Sequence, residues 1–401
     1  MSLVPVEEAL QRLLDDAEPL AAETVALTDA FDRVLATPLA ALRTQPPFDA
    51  SAMDGYAAKA ADVAATPVTL KVIGSAPAGR AFQGAVGTGE TVRVFTGAPL
   101  PAGSDTIVIQ ENVRDLGDGS VEVLESASEG RNIRRKGLDF NTGDVLLKKG
   151  RVLDAAALSL AASANHPALA VVRRPLVAII ATGDELLPPG SVPGPDQIIS
   201  SNAYGVAAAA QAVGAHALDL GIAPDRKDAI AAAVRQAVEA GANVIVTLGG
   251  ASVGDHDLVH DVLTSEGMTL DFWKLAMRPG KPLMFGRMGA IRCIGLPGNP
   301  VASLVCSQLF LKPLLARLGG RPFSQDIREA SLTTNMAAND RRQDYIRARI
   351  EQDGSRLAAT PFGVQDSSML RALSDANGLI IRPPHAPKAE AGSTCQVLML
   401  R

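Results

Sequence analysis

The sequence predicts a multidomain α/β protein: a doubly wound α/β domain, an inserted β-rich domain, a helical and extended linker domain and a small C-terminal β domain. Three observations carry this expectation. At 401 residues the chain exceeds one ordinary core. Between residues 173 and 320, apolar β-branched runs alternate with helical periods, the pattern of a mostly parallel sheet covered on both faces. Between residues 43 and 142, short alternating runs are punctuated by Gly and Pro, the texture of strands joined by turns.

In chain order, "VEEALQRLLDDA" has helical periodicity, and "TDAFDRVLATPL" predicts a second short helix capped by Thr28. Within the insert, "VTLKVIG", "TVRVFTG", "DTIVIQENV" and "SVEVLES" predict strands, and "GRVLDAAALSLAASAN" returns to helix. The α/β region reads as strand "LVAIIATGDE", helix "SSNAYGVAAAAQAVGA", strand "AHALDLGIAPD" and helix "RKDAIAAAVRQAVEAGA". Strand "NVIVTLGG", helix "DHDLVHDVLTSEG", strand "AIRCIGLPGNP" and helix "VASLVCSQLFLKPLLARLGG" complete it. Strand-like pieces from "ASLTTNM" to "QVLMLR" form the last domain. The expected domains are 1–42 with 143–172, then 43–142, 173–322 and 323–401.

Apolar residues make up 47% of the chain and charged residues 20%, which excludes disorder. A net charge of −5 argues against nucleic acid or a membrane surface as the main partner, so an anionic ligand must be held locally. Three cysteines without CxxC spacing indicate neither a disulfide framework nor a zinc ribbon, and Cys293 and Cys306 sit in apolar runs as small core residues. The acidic, amphipathic N-terminus does not read as a signal peptide, and the apolar runs are broken before the roughly 20 residues of a spanning helix. A cytoplasmic location is expected.

In a parallel α/β sheet, ligands gather beyond the carboxyl ends of the strands. "TGDE", "APD", "LGGASVGD" and "LPGNP" all fall there. Gly249 and Gly250 form a loop suited to an anion, yet Asp255 and Asp257 follow at once. Like charges at about 4 Å cost roughly 4 kcal/mol at an effective dielectric of about 20, so such a site needs a counter-charge. In "GLPGNPVASL", Pro297, Gly298, Asn299 and Pro300 make either a tight strand-to-helix connection or an anion cradle at a helix start. Asp184 and Glu185 either solvate a loop or bind a hard cation, and Asp225 by itself reads as an N-cap. Lys274, Arg278 and Lys281 surround a Pro-Gly turn, which is a solvated turn or an oxyanion site. His256 and His260, four apart, lack the further ligand that a transition-metal site requires and read as helix-surface residues.

"PPFDASAMDGYA", "RVFTGAPLPAGSDTIV", "NIRRKGLDF", "ATGDEL", "SSN", "TLGGASVGDHD", "KLAMRPGKP" and "GLPGNPVASL", in this order, resemble the MoeA family of molybdopterin molybdenumtransferases, which includes the E domain of gephyrin. The resemblance spans essentially the whole chain. It implies insertion of molybdate into adenylyl-molybdopterin with release of AMP, a magnesium ion, and pathway partners such as the molybdopterin adenylyltransferase. It also implies a MogA-like α/β domain, a C-terminal barrel-like β domain, and a homodimer with an active cleft shared between subunits.

By the same resemblance, the functional acids and hydroxyl are Asp54, Thr96, Asp139, Glu185, Asp225 and Asp255, and the catalytic cations are Lys274 and Arg278. The substrate-binding positions it implies are Gly249, Gly250, Ser252, Lys281, Pro297, Gly298, Asn299, Pro300, Arg347 and Ser367. Glu185, Asp225 and Asp255 are the implied metal ligands. The chain departs from the family pattern at four places: Arg278 replaces a common lysine, Leu138 a glutamate, Ala302 a serine and Ala50 an asparagine. Two rival readings are an adenylyltransferase, which would lack the extra domains, and a non-catalytic scaffold.

Overall fold

The computed structural model describes residues 3–249 and 258–401, and the chain divides into two compact units. One comprises Met1–Glu23, Asp32–Ala36 and Ala170–Arg401; the other comprises Thr24–Phe31 and Thr37–Leu169.

The larger unit is organised by a six-stranded sheet. Its order is His216–Ala223, Leu176–Thr182, Val244–Leu248, Ile291–Leu296, Met284–Met288 and Thr269–Trp273. The first four strands are parallel and the last two antiparallel. Alternation along Leu176–Thr182 explains its continuous apolar run: Val177 and Ile179 enter one buried cluster, Ala178 and Ile180 the other. Both faces are therefore covered. The antiparallel pair flanks the turn that carries Lys274, Arg278 and Lys281, for which the sequence offers a solvated turn or an oxyanion site but no strands. Its Phe272 and Phe285 are buried, while the turn residues between the strands supplied the conspicuous signal.

The helix Val6–Leu14 buries Val6, Ala9 and Leu13 in the first cluster. Its first turn carries Glu7 and Glu8, the signs that a helix N-terminus favours. The helix from Pro300 to Leu318 has the length and composition of a membrane span, but 78% of its apolar window is buried inside the protein. It widens into a π-turn at Ser307–Leu311, just before Pro313. Proline has no N–H for the regular helical bond, and a wider turn accommodates that loss.

The C-terminal strands form a closed five-stranded barrel. Gln343–Asp353 pairs with Arg356–Pro361 and with Gly378–Arg382. Thr394–Met399 joins Gly378–Arg382 to Ile327–Leu332, which returns to Arg356–Pro361 and closes the ring. Met277–Arg278 adds to Gln343–Asp344 as a short parallel strand.

The smaller unit has its own six-stranded sheet, ordered Thr106–Ile109, Gly55–Ala58, Glu90–Val94, Val68–Ala76, Ser120–Val123 and Val113–Asp115. The segment "SAMDGY" leads into one of its interior strands, Gly55–Ala58. Gly55 is required there because a Cβ would stand 2.1 Å from the Val108 carbonyl oxygen. The run "GYAA" carries no β-branched residue, so local propensity concealed it. Ala155–Ser163 is the expected helix, capped by Asp154, whose side chain accepts from the Ala157 amide at 2.8 Å.

The second helix predicted near Thr28 does not form. Leu27–Asp29 is a single 3-10 turn, Asp32 adopts φ +58°, and Leu35 pairs with Val171 in extended chain. The helical spacing of Val34 and Leu35 with earlier apolar residues lost to this long-range strand-like pairing.

Candidate functional site

Strand register builds the cleft. Ala181 pairs with Leu248 and Leu248 with Leu296, while Thr182 pairs with Ala223. Four carboxyl ends therefore stop level with one another, and the loops that follow them open onto a cleft of ≈ 730 Å³. Glu185, Asp225, Gly249 and Pro297 to Pro300 all line it.

Glycine permits two of these loops to meet. Gly249 has φ +94°, and a Cβ there would lie 2.8 Å from the Thr182 carbonyl oxygen. A Cβ on Gly298 would find the Gly249 Cα at 3.7 Å, ordinary contact that brings the two loops together. Asn202 donates to the Gly298 carbonyl at 2.7 Å. Asn299 does not cap the Pro300–Cys306 helix with its side chain; it donates to Ser367 Oγ at 2.9 Å. The Val301 amide donates to the Ser367 carbonyl at 3.0 Å. Ser367 thus ties a barrel loop to the helix start, and the adjacent Ser368 lines the cleft.

Arg347 stands behind that loop, 1% exposed. Its guanidinium donates to Gln365 Oε1 at 3.3 Å and to the Met369 carbonyl at 3.1 Å. Burial lowers its pKa from the usual arginine value. Its donors serve the loop that presents Ser367 and Ser368.

The cleft also has an acidic lining. The Asp225 amide donates to Asp184 Oδ1 at 3.1 Å. Burial first, then the charges of Asp184 and Glu185, raise the Asp225 pKa. The N-cap alternative fails because Arg226 occupies the cap position of Lys227–Glu239. Among the described residues no cluster of three or more metal-ligating side chains occurs. Two cleft carboxylates nevertheless suit magnesium, which takes few protein oxygens and completes its shell with water and phosphate.

The three cations have different surroundings. Lys274 is half-buried at φ +90°, its carbonyl accepting from the Val4 amide at 3.0 Å. Lys281 is exposed beside the cleft residue Pro282. Arg278 is already paired: Nε donates to Asp344 Oδ1 at 2.9 Å, and a second nitrogen bonds the other Asp344 oxygen. Asp340 lies 3.6 Å away. The free oxyanion fork expected of Arg278 is closed on the barrel in this structure, and Asp344, 66 positions along the chain, gave no sequence signal.

In the smaller unit, Thr96 donates to Asp54 Oδ1 through its amide at 2.7 Å and its hydroxyl at 2.8 Å. These bonds hold the Asp54 carboxyl below the usual range. Asp139 is exposed on a separate turn, its amide on the Gln45 carbonyl at 3.0 Å. Gly250, Ser252, Asp255, His256 and Asp257 lie outside the described residues. His260, on the Leu258–Ser265 helix, stacks on Trp273 with ring centroids 5.0 Å apart. Asn202 and Ser368 were not singled out from sequence; the position of "SSN" at the start of a helix facing the strand ends was the available signal for Asn202.

Three family models divide the chain: the MoeA N-terminal region (domain I and II) at residues 4–165, a probable molybdopterin binding domain at 178–317, and the MoeA C-terminal region (domain IV) at 329–400. The chain belongs to the MoeA family. It is 35% identical to the molybdopterin molybdenumtransferase of Bacillus subtilis, across 99% of this chain and 94% of that one. The protein of the same name from Nostoc is also 35% identical, with coverages of 94% and 88%. A crystal structure of the molybdopterin biosynthesis MoeA protein from Pyrococcus horikosii matches with TM-score 0.85 and 30% identity over 100% of both chains. The cleft described above belongs to the part of this MoeA-family chain matched by the molybdopterin binding model and to the barrel loop beyond it.

Proposed function

We propose that this chain inserts molybdate into adenylyl-molybdopterin, forming molybdenum cofactor and releasing AMP and water. The observation that carries this reading is one cleft with two chemistries: glycine-rich strand-end loops, and Glu185 with a partly desolvated Asp225. Pro297 and Pro300 fix the turn that Gly249 packs against, and the Gly298 and Asn299 amides at the helix start receive the phosphate-bearing part of the substrate. Lys281 supplies cationic charge to molybdate, together with Ser252, which lies outside the described residues. Lys274 supports the same turn. Arg347 and Ser367 hold the barrel loop against Asn299, and Arg278 anchors the turn to Asp344.

Magnesium at Glu185 and Asp225, with Asp255 as a further ligand, would offset phosphate charge and polarise the bond to the departing AMP. Asp54, Thr96 and Asp139 are proposed as the smaller unit's contribution to a site shared across a homodimer. No protein thiolate is called for, because the dithiolate sulfurs belong to the substrate. Burial fits that economy: it pushes the Cys293 thiol up to about 12 and the Cys306 thiol upward as well. The four-part division at 1–42 with 143–172, 43–142, 173–322 and 323–401, a cytoplasmic location and delivery by pathway partners complete the proposal.

The decisive assay supplies adenylyl-molybdopterin, molybdate and magnesium to the purified chain and measures AMP. Molybdate-dependent AMP release is expected. ATP consumption with unadenylylated molybdopterin, or no AMP release under any of these conditions, would overturn the reading.

A further inference from the structure

An apolar strip lies beside the polar groups of the cleft, and the chemistry above leaves it unused. Leu186, Ile198 and Ile199 line the cavity together. Ile198 is 56% exposed and Ile199 37%. Neither side chain is buried in a core, although both belong to an ordered element. Leu186 pairs with Ile198 and Leu187 with Ile199 in a short parallel ladder. The Ile198 amide donates to the Glu185 carbonyl at 2.8 Å, and the Ser200 amide donates to the Leu187 carbonyl at the same distance. The strip is therefore built onto the turn that carries Asp184 and Glu185.

This placement restricts what can cover the strip. Branched apolar side chains lining a concave wall gain by removing a ligand's apolar face from water. Glu185 follows the same strand end, lines the cavity and offers a carboxylate oxygen to ring N–H and amino groups at the strip's edge. The Gly298 and Asn299 amides, in the lining of the same cavity, offer main-chain donors to a phosphate. One molecule uses all three features if it joins a phosphate to a flat, amino-bearing heteroaromatic ring. We propose that Leu186, Ile198 and Ile199 form a shelf for such a ring, the adenine or the pterin of the substrate. This rests on the reading of the cleft as the adenylyl-molybdopterin site and adds which residues select its ring.

The test uses the full chain with magnesium and three probes: AMP, 6-carboxypterin and inorganic pyrophosphate, each titrated to equilibrium. The Ile198→Ser/Ile199→Ser variant should bind at least one ring-bearing probe about tenfold more weakly, with pyrophosphate affinity unchanged. Loss for AMP alone assigns adenine to the shelf, and loss for 6-carboxypterin alone assigns the pterin. Ile198→Leu should retain near wild-type affinity, and an unchanged melting temperature of the double variant excludes unfolding as the cause. Unchanged binding of both ring-bearing probes, or a parallel loss of pyrophosphate, would overturn the shelf while leaving the cleft's function intact. A wild-type chain that binds none of the three probes would overturn the reading of the cleft, and the shelf with it.

Discussion

Asp54 in the smaller unit is half-buried and Asp225 in the larger one is exposed; both are carboxylates beside a strand, and their surroundings treat them in opposite ways. Asp54 receives two hydrogen bonds from Thr96, and its pKa is lowered. Asp225 is partly desolvated beside Asp184 and Glu185, and its pKa is raised. Residue type alone therefore does not assign a role. The first acid is compensated by Thr96, whereas the described neighbours that shift the second are themselves carboxylates, and the proposed magnesium would offset their charge.

The largest effect expected from this contrast is on catalysis. Asp225→Asn should lower AMP release roughly 100-fold and abolish any rise in melting temperature produced by magnesium. Turnover close to wild type would remove Asp225 from the metal's ligands. Asp54→Asn should also lose most activity, although its amide oxygen can still accept from Thr96. Mixing the two inactive variants then asks whether their contributions come from different subunits. Random re-pairing of a dimer with a shared site should restore about a quarter of wild-type activity, whereas no recovery would place both acids in sites within one subunit.

A smaller effect concerns Arg278. Arg278→Ala and Asp344→Asn should each destabilise the chain by about 1–3 kcal/mol in denaturant titrations, less than for a fully buried pair because Arg278 is half-exposed. Molybdate affinity should fall far less than with Lys281→Ala. Loss of molybdate binding without loss of stability would return Arg278 to the oxyanion.

The smallest effect is in pH dependence. A raised folded pKa means that the ionised Asp225 opposes folding above that value, and the penalty disappears below the ordinary carboxylate pKa of about 3.9. Asp225→Asn should therefore raise stability near neutrality by about a few tenths of a kcal/mol after solvent screening, with no gain in acid. Asp54 has the reverse sign: its contribution is present above the ordinary carboxylate pKa and is lost as pH falls through its lowered value. Melting curves of both variants between acid and neutral pH should diverge in opposite directions from wild type.

Much of the α/β unit was legible because its elements carry strong local periods. "LVAIIATGDE", "NVIVTLGG" and "AIRCIGLPGNP" are apolar runs ending in loop residues, and they form adjacent parallel strands. Thr269–Trp273 and Met284–Met288 were hidden by the charged turn between them, and Gly55–Ala58 by its small residues. In the site, the strand-end rule brought Glu185, Asp225, Gly249 and Pro297 into one neighbourhood. The pairing of Arg278 with Asp344 was not legible, since it depends on the short strand Met277–Arg278 joining the barrel at Gln343–Asp344.

By itself the sequence determined the fold class, the order of the family's motifs and the chemical types brought to the strand ends. These follow from local hydrophobic period, turn residues and motif order, all written along the chain. Only the tertiary structure decided which charges are satisfied: Thr96 on Asp54, Asp344 on Arg278, and the like-charged Asp184 and Glu185 beside Asp225. The physical reason is that electrostatic compensation acts through space, and strand register and packing choose a charge's neighbours from residues far apart in sequence.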